Sequence, residues 1–106
     1  MSITVITEFI KKASVRIVAY VYDEDGALVN PTHASTPIRI TIYDPDGTVT
    51  ATEDSAMDST GATGIYDYYF ATDADTASGW YRGVIEVMDG TDPVYTTMGN
   101  FSFRIK

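Results

Sequence analysis

Apolar and polar residues alternate one by one along most of this chain, the period of two that marks half-buried β-strands. Val15, Ile17, Ala19 and Val21 alternate with Arg16, Val18, Tyr20 and Tyr22. Asp23-Glu24-Asp25-Gly26 then predicts a tight turn, and Asn30-Pro31 ends the short apolar run at Leu28 and Val29. Ile38, Ile40 and Ile42 alternate with Arg39, Thr41 and Tyr43. In Asp44-Pro45-Asp46-Gly47 proline stands second and glycine fourth, as a type I turn prefers. Thr48–Glu53 is therefore expected to return as a hairpin partner, with Val49 and Ala51 facing inward. Residues 54–64 are small and polar and read as a loop.

Ile65–Ala71 alternates again, with Tyr66, Tyr68 and Phe70 on one face, and residues 72–79 cross without strand character. In the next strand Tyr81, Gly83, Ile85 and Val87 oppose Trp80, Arg82, Val84, Glu86 and Met88. Asp89-Gly90 is a hairpin signal. A last strand runs from about Val94 to Ile105, with Phe101, Phe103 and Ile105 on one side. Helical spacing is confined to Thr7–Ala13, where Phe9 and Ile10 precede Lys11 and Lys12, too short a stretch to stand alone. Six or seven strands with turns about every 8–12 residues predict an all-β sandwich in preference to a barrel. Loops 27–36 and 71–79 are too long for tight hairpins, so Greek-key connections are expected. The 106 residues suit one domain, 1–106, with 1–8 as a loosely attached N-terminal segment.

Composition narrows the functional classes. No cysteine is present, which removes disulfides and thiolate zinc sites. Seven basic against fifteen acidic residues give a net charge of −8, a field that disfavours nucleic acid and anionic membrane as partners. Residues 1–12 carry Glu8, Lys11 and Lys12 and no long apolar run, so neither a secretory leader nor a membrane span is read. A virion or the cytoplasm is the expected setting, ahead of the cell surface. His33, the single histidine, lies in a Pro-flanked loop, where a solvated side chain is expected. With no positioned nucleophile and no phosphate loop, the chain reads as a non-enzyme without catalytic residues or cofactor.

Three groups of residues invite other chemistry. Tyr22-Asp23-Glu24-Asp25-Gly26 and Tyr43-Asp44-Pro45-Asp46-Gly47 echo each other. Asp23, Asp25, Asp44 and Asp46 are candidate calcium ligands if the two turns converge at one pole, with Asp89 or with Asp73 and Asp75. The competing reading is turn chemistry, aspartate accepting backbone N–H bonds and glycine supplying positive φ. Trp80 and Arg82 alternate outward, a pair of the kind enriched at interface hot spots, unless a neighbouring loop covers the indole. Tyr20, Tyr22 and Tyr43 are expected on an exposed face of the first sheet, either as contact surface or as rim packing. Tyr81 follows Asp75 and Gly79 at the start of a late strand, the setting of a tyrosine corner, with its hydroxyl bonded back to the crossover.

The succession "SVRIVAYVYDEDGALV", "IRITIYDPDGTV", "STGATGIYDYYF", "DADTASGWYRGVIEV" and "GNFSFRIK" resembles the immunoglobulin-like domains related to the second macroglobulin domain and to bacterial surface repeats. The resemblance covers about residues 9–106. It implies an immunoglobulin-like Greek-key β-sandwich of about seven antiparallel strands, used as a spacer, adhesive or assembly module. A single leaderless copy departs from that family's usual context and also resembles small structural proteins of tailed bacteriophages. The expectation is a non-catalytic structural or protein-binding module, partnered by other structural proteins or by its own copies. A carbohydrate- or cell-surface-binding adhesive domain, calcium-stabilised or not, is the alternative.

Overall fold

Only β-strands form among the residues that the computed structural model describes, namely 1–10, 14–33, 36–73, 75–91 and 93–106. In chain order they are β1 (Ser2–Ile10), β2 (Ser14–Tyr22), β3 (Ile38–Tyr43), β4 (Ser55–Ala56), β5 (Asp58–Ser59), β6 (Ile65–Ala71), β7 (Gly79–Asp89) and β8 (Tyr95–Ile105). They pair into two four-stranded antiparallel sheets, ordered β1-β2-β6-β5 and β4-β3-β7-β8. The links β2–β3, β4–β5 and β6–β7 pass from one sheet to the other, and the rest stay within a sheet. No helix among the described residues is long and apolar enough to cross a membrane.

The alternation becomes a core because each strand turns one row inward. Val15, Ile17, Ala19 and Val21 of β2 meet Ile38, Ile40 and Ile42 of β3 and Ile85 and Val87 of β7, all essentially inaccessible. Each valine and isoleucine among them contributes about 1.5–3 kcal/mol on leaving water, which is how a chain without a disulfide holds its sheets together. At one end of the core the aromatic rings of Phe70, Tyr81 and Phe103 pack with centroids 5.4–5.8 Å apart. Phe101 continues the stack and lies over Gly83, its register partner on β7. A Cβ at Gly83 would come within 2.1 Å of that ring, so the glycine is what lets Phe101 lie flat.

The molecule is 44 Å long. One end carries the 23–26 turn, the start of β6 and the Asp89-Gly90 turn; Asn30 accepts the Gly64 amide there, and Thr32 and His33 bond Asp89 and Gly90. The other carries the 44–47 turn, the 72–79 crossover and the end of β8, with Gly79 set against Pro45.

Several expectations need correction. Of residues 1–8, expected to hang loosely, Ser2 to Glu8 belong to β1, which pairs with β2 from Ser2↔Tyr22 to Ile10↔Ser14. Ile3 and Val5 pack against the core. The helical spacing at 7–13 gives strand through Ile10, and residues 11–13 lie outside the described residues. After the second turn the chain does return along β3, through the bridge Tyr43↔Val49 and through bonds from the Thr50 amide to the Ile42 carbonyl and from the Ile42 amide to the Thr52 carbonyl, both 2.9 Å. Val49 and Ala51, however, are exposed where they were expected inward. The inward residue is Thr52, 5% exposed, whose hydroxyl bonds the Tyr68 hydroxyl at 2.8 Å. The presumed loop 54–64 holds two short strands, β4 and β5, one on each sheet, with buried Met57 between them. Hence eight strands stand among the described residues where about seven were expected.

Candidate functional site

The two Asp-rich turns are one local structure used twice. Asp23 Oδ1 accepts the amides of Asp25 and Ala27 at 2.9 and 3.0 Å, and Asp44 Oδ1 accepts those of Asp46 and Thr48, both at 2.9 Å. Gly26 and Gly47 take φ of 82° and 86°, where a Cβ would be strained. Each turn then bridges back to its strand, Tyr22↔Leu28 and Tyr43↔Val49. The turns do not converge, because β2 and β3 end at opposite ends of the sandwich. Asp23 and Asp25 thus sit far from Asp44 and Asp46. No group of three or more His, Cys, Asp or Glu side chains among the described residues is placed to hold a metal ion.

The crossover before β7 is held by a third aspartate. Asp73 Oδ1 accepts the Asp75 amide at 2.9 Å and the Thr76 hydroxyl at 3.3 Å, and Thr76 Oγ1 accepts the Asp73 amide at 2.8 Å. Asp75 contributes its backbone there and leaves its side chain exposed, so the organising carboxylate lies two residues before the one expected. Tyr81, 3% exposed, donates its hydroxyl to the Ala77 carbonyl at 2.8 Å. Burial, and secondarily Asp44, hold its phenol above the ordinary tyrosine range. Burial does the same to Tyr66. Gly79 has φ of 133°, and a Cβ there would lie 2.9 Å from Pro45, so only glycine fits between crossover and turn. His33 is half-buried, and its Nδ1 donates to the Gly90 carbonyl at 2.7 Å, so it fastens a loop where a solvated ring was expected.

The candidate binding residues divide between the two outer faces. Tyr20 and Tyr22 lie on β2, in the first sheet. Tyr43 lies on β3, in the second, because the β2–β3 link changes sheets. Alternation places a residue on a face but cannot tell which sheet owns the strand. Trp80 and Arg82 share the outer face of the second sheet with Tyr43. Register sets Tyr43 opposite Arg82, Arg82 opposite Ser102, and Trp80 opposite Arg104. Val84 and Asn100 form the next rung.

Tyr43, Gly47, Arg82, Val84, Asn100 and Ser102 line an open groove of about 670 Å³ on this face. Trp80 flanks it with 59% of its surface exposed, so no loop covers the indole. Arg82 reaches toward the 44–47 turn, where a Cβ on Gly47 would stand 3.8 Å from its Nη2. Arg104, Asn100 and Ser102 form the outward row of β8, beside the expected inward Phe101, Phe103 and Ile105, and the same alternation, continued, identifies them.

On the first sheet's outer face Arg16 donates to Asp67 from Nε at 3.2 Å and Nη2 at 3.0 Å, and to Glu8 from Nη1 at 2.9 Å. Hydrogen bonds to Asp67, then Glu8, raise its already high pKa. That face neutralises its own cation, whereas the groove face leaves Arg82 without such partners among the described residues. The chain matches no protein-family model and no curated protein.

Proposed function

We propose that this chain is a non-catalytic, immunoglobulin-like structural module that binds another protein through the outer face of β3, β7 and β8. The order β1-β2-β6-β5 against β4-β3-β7-β8 supports the immunoglobulin-like reading, since it follows the A-B-E-D and C′-C-F-G arrangement of that family's Greek key. The Tyr81–Ala77 bond, a tyrosine corner at the start of the sixth family strand, supports it independently. The observation that carries the binding role is that exposed Trp80 and Arg82 share one outer face with half-buried Tyr43, and that Tyr43 and Arg82 line its groove. Tryptophan, tyrosine and arginine are the side chains that dominate interface energies. Assembly with other structural proteins, in a virion as the sequence resemblance suggests, is the setting in which such a module acts.

Co-expression with the products of neighbouring genes, followed by size-exclusion chromatography, tests this. Wild type is expected to co-elute with one of them, and Trp80→Ala with Tyr43→Ala to release it. A wild type that elutes alone from every such mixture refutes the reading. The exposed indole of Trp80, one rung from Ser102, also suits stacking on a sugar ring. Glycan binding that survives Trp80→Ala, or none at all, removes that second reading.

A further inference from the structure

We propose that the groove face takes an extended acidic segment of its protein partner, with successive carboxylates held by Arg82 and Arg104; the inference rests on the reading of this face as the contact surface. Two of the four arginines are internally neutralised. Arg16 pairs with Glu8 at 2.9 Å and Asp67 at 3.0 Å, and Arg39 with Asp54 at 3.4 Å. Among the described residues, Arg82 and Arg104 have no carboxylate within 4.0 Å, in a chain that carries fifteen acids. They are also neighbours. With Arg82 opposite Ser102 and Trp80 opposite Arg104, the two cations stand diagonally across the β7–β8 ladder. Diagonal positions lie about 7–8 Å apart. Like charges at that spacing repel, and no ion pair among the described residues offsets them.

An anionic partner relieves them, and the spacing says what form it takes. Alternate residues of an extended strand project to one side about 6.5 Å apart, so acids in an Asp/Glu-x-Asp/Glu pattern match the two guanidinium groups. Each guanidinium can grip a carboxylate with two parallel bonds, which an ammonium cannot. Asn100 and Ser102 place amide and hydroxyl donors on the same face for the segment's carbonyls, and Trp80 and Tyr43 supply apolar contact beside it. In the 44–47 turn Asp44 keeps Oδ1 on its own turn amides, and among the described residues neither Asp44 nor Asp46 forms an ion pair with Arg82. Glu86 lies farther along β7, across from Arg39, so the face is basic only at the Trp80 end. A nucleic acid would need a longer basic track than two residues in a chain of net charge −8.

Fluorescence anisotropy with a labelled Glu-Thr-Glu-Thr-Glu peptide, and with its Lys-for-Glu counterpart, tests the inference at low and physiological ionic strength. The acidic peptide is expected to bind and to weaken with salt, and its counterpart not to bind. Arg82→Ala with Arg104→Ala should cost at least about tenfold in affinity. Arg82→Lys with Arg104→Lys, which keeps charge and fold, should cost about threefold or more through loss of the fork. Equal binding by wild type and the lysine variant, binding of the Lys peptide, or no binding of the acidic peptide overturns it. So does concentration-dependent self-association abolished by the same variants, which would make a second copy the occupant. If the acidic peptide fails while Trp80→Ala still releases a co-eluting partner, the contact surface stands and only the acidic occupant falls.

Discussion

Removing one oxygen from Tyr81 separates the hydrogen bond of the crossover from the packing of the ring. In Tyr81→Phe the ring keeps its stack on Phe103, 5.4 Å between centroids, and its contact with Phe70 at 5.7 Å. What goes is the 2.8 Å bond to the Ala77 carbonyl. A net intramolecular hydrogen bond is worth about 0.5–1.5 kcal/mol, and more when the abandoned acceptor is sealed from water. Ala77 is exposed, so its carbonyl can turn to solvent, and the loss is expected near 1 kcal/mol. Truncation to alanine also removes the ring and should cost about 3–5 kcal/mol. Urea unfolding should show the phenylalanine variant with a lower midpoint at unchanged slope, and a melting temperature down by about 4–8 °C. Faster amide exchange should be confined to the crossover around residues 75–79. A midpoint equal to wild type, or a loss as large as that of Tyr81→Ala, refutes the division of labour between hydroxyl and ring.

Three further outcomes follow from the same geometry. Asp44→Ala strips the acceptor from two amides and should cost about 1–2 kcal/mol, whereas Asp44→Asn keeps an oxygen there and should cost far less; equal losses in thermal melts would mean that charge, not acceptance, matters. Gly83→Ala forces Phe101 off β7 and should destabilise by about 1–3 kcal/mol in urea unfolding, an effect that Phe101→Ala in the same chain should largely remove. Burial raises the phenols of Tyr66 and Tyr81 in the folded state, so the unfolded chain gives up those protons first as pH rises. Stability from these groups is complete below about pH 10 and declines above it, and melting temperatures of the Tyr66→Phe, Tyr81→Phe double variant should fall less steeply there.

Long strands with clean alternation were legible from residues alone: β2, β3, β6, β7 and β8 follow the pattern of Ile, Val and aromatic residues. In β1 the inward row of Ile3 and Val5 is present too, but Phe9 and Ile10 stand side by side ahead of Lys11 and Lys12 and break the period of two, so a helical spacing competes there. β4 and β5 are two residues each, too short for any period, and owe their pairing to the strands they lie against. Thr52 shows why register fails after a turn: one residue of offset exchanges the inner and outer rows, and a threonine takes the buried place by sharing a bond with Tyr68. The same limit divided the candidate site. Trp80 and Arg82 were legible as an outward pair, but that Tyr43 joins them and Tyr20 does not depends on where the chain changes sheets.

Met1 lies within 3.6 Å of Glu24 at one end of the sandwich, while Ile105 pairs with Gly79 at the other. Tension between the two ends would therefore drag β1 lengthwise along β2, and β8 lengthwise along β7. Nine residue pairs in the first ladder and eleven in the second would bear the load together, as a lap joint does, instead of parting one at a time like a zip. Single-molecule pulling should then record one abrupt rupture per domain. A module strung by its ends in this way would transmit force along its 44 Å axis while its groove face remained free to hold a partner.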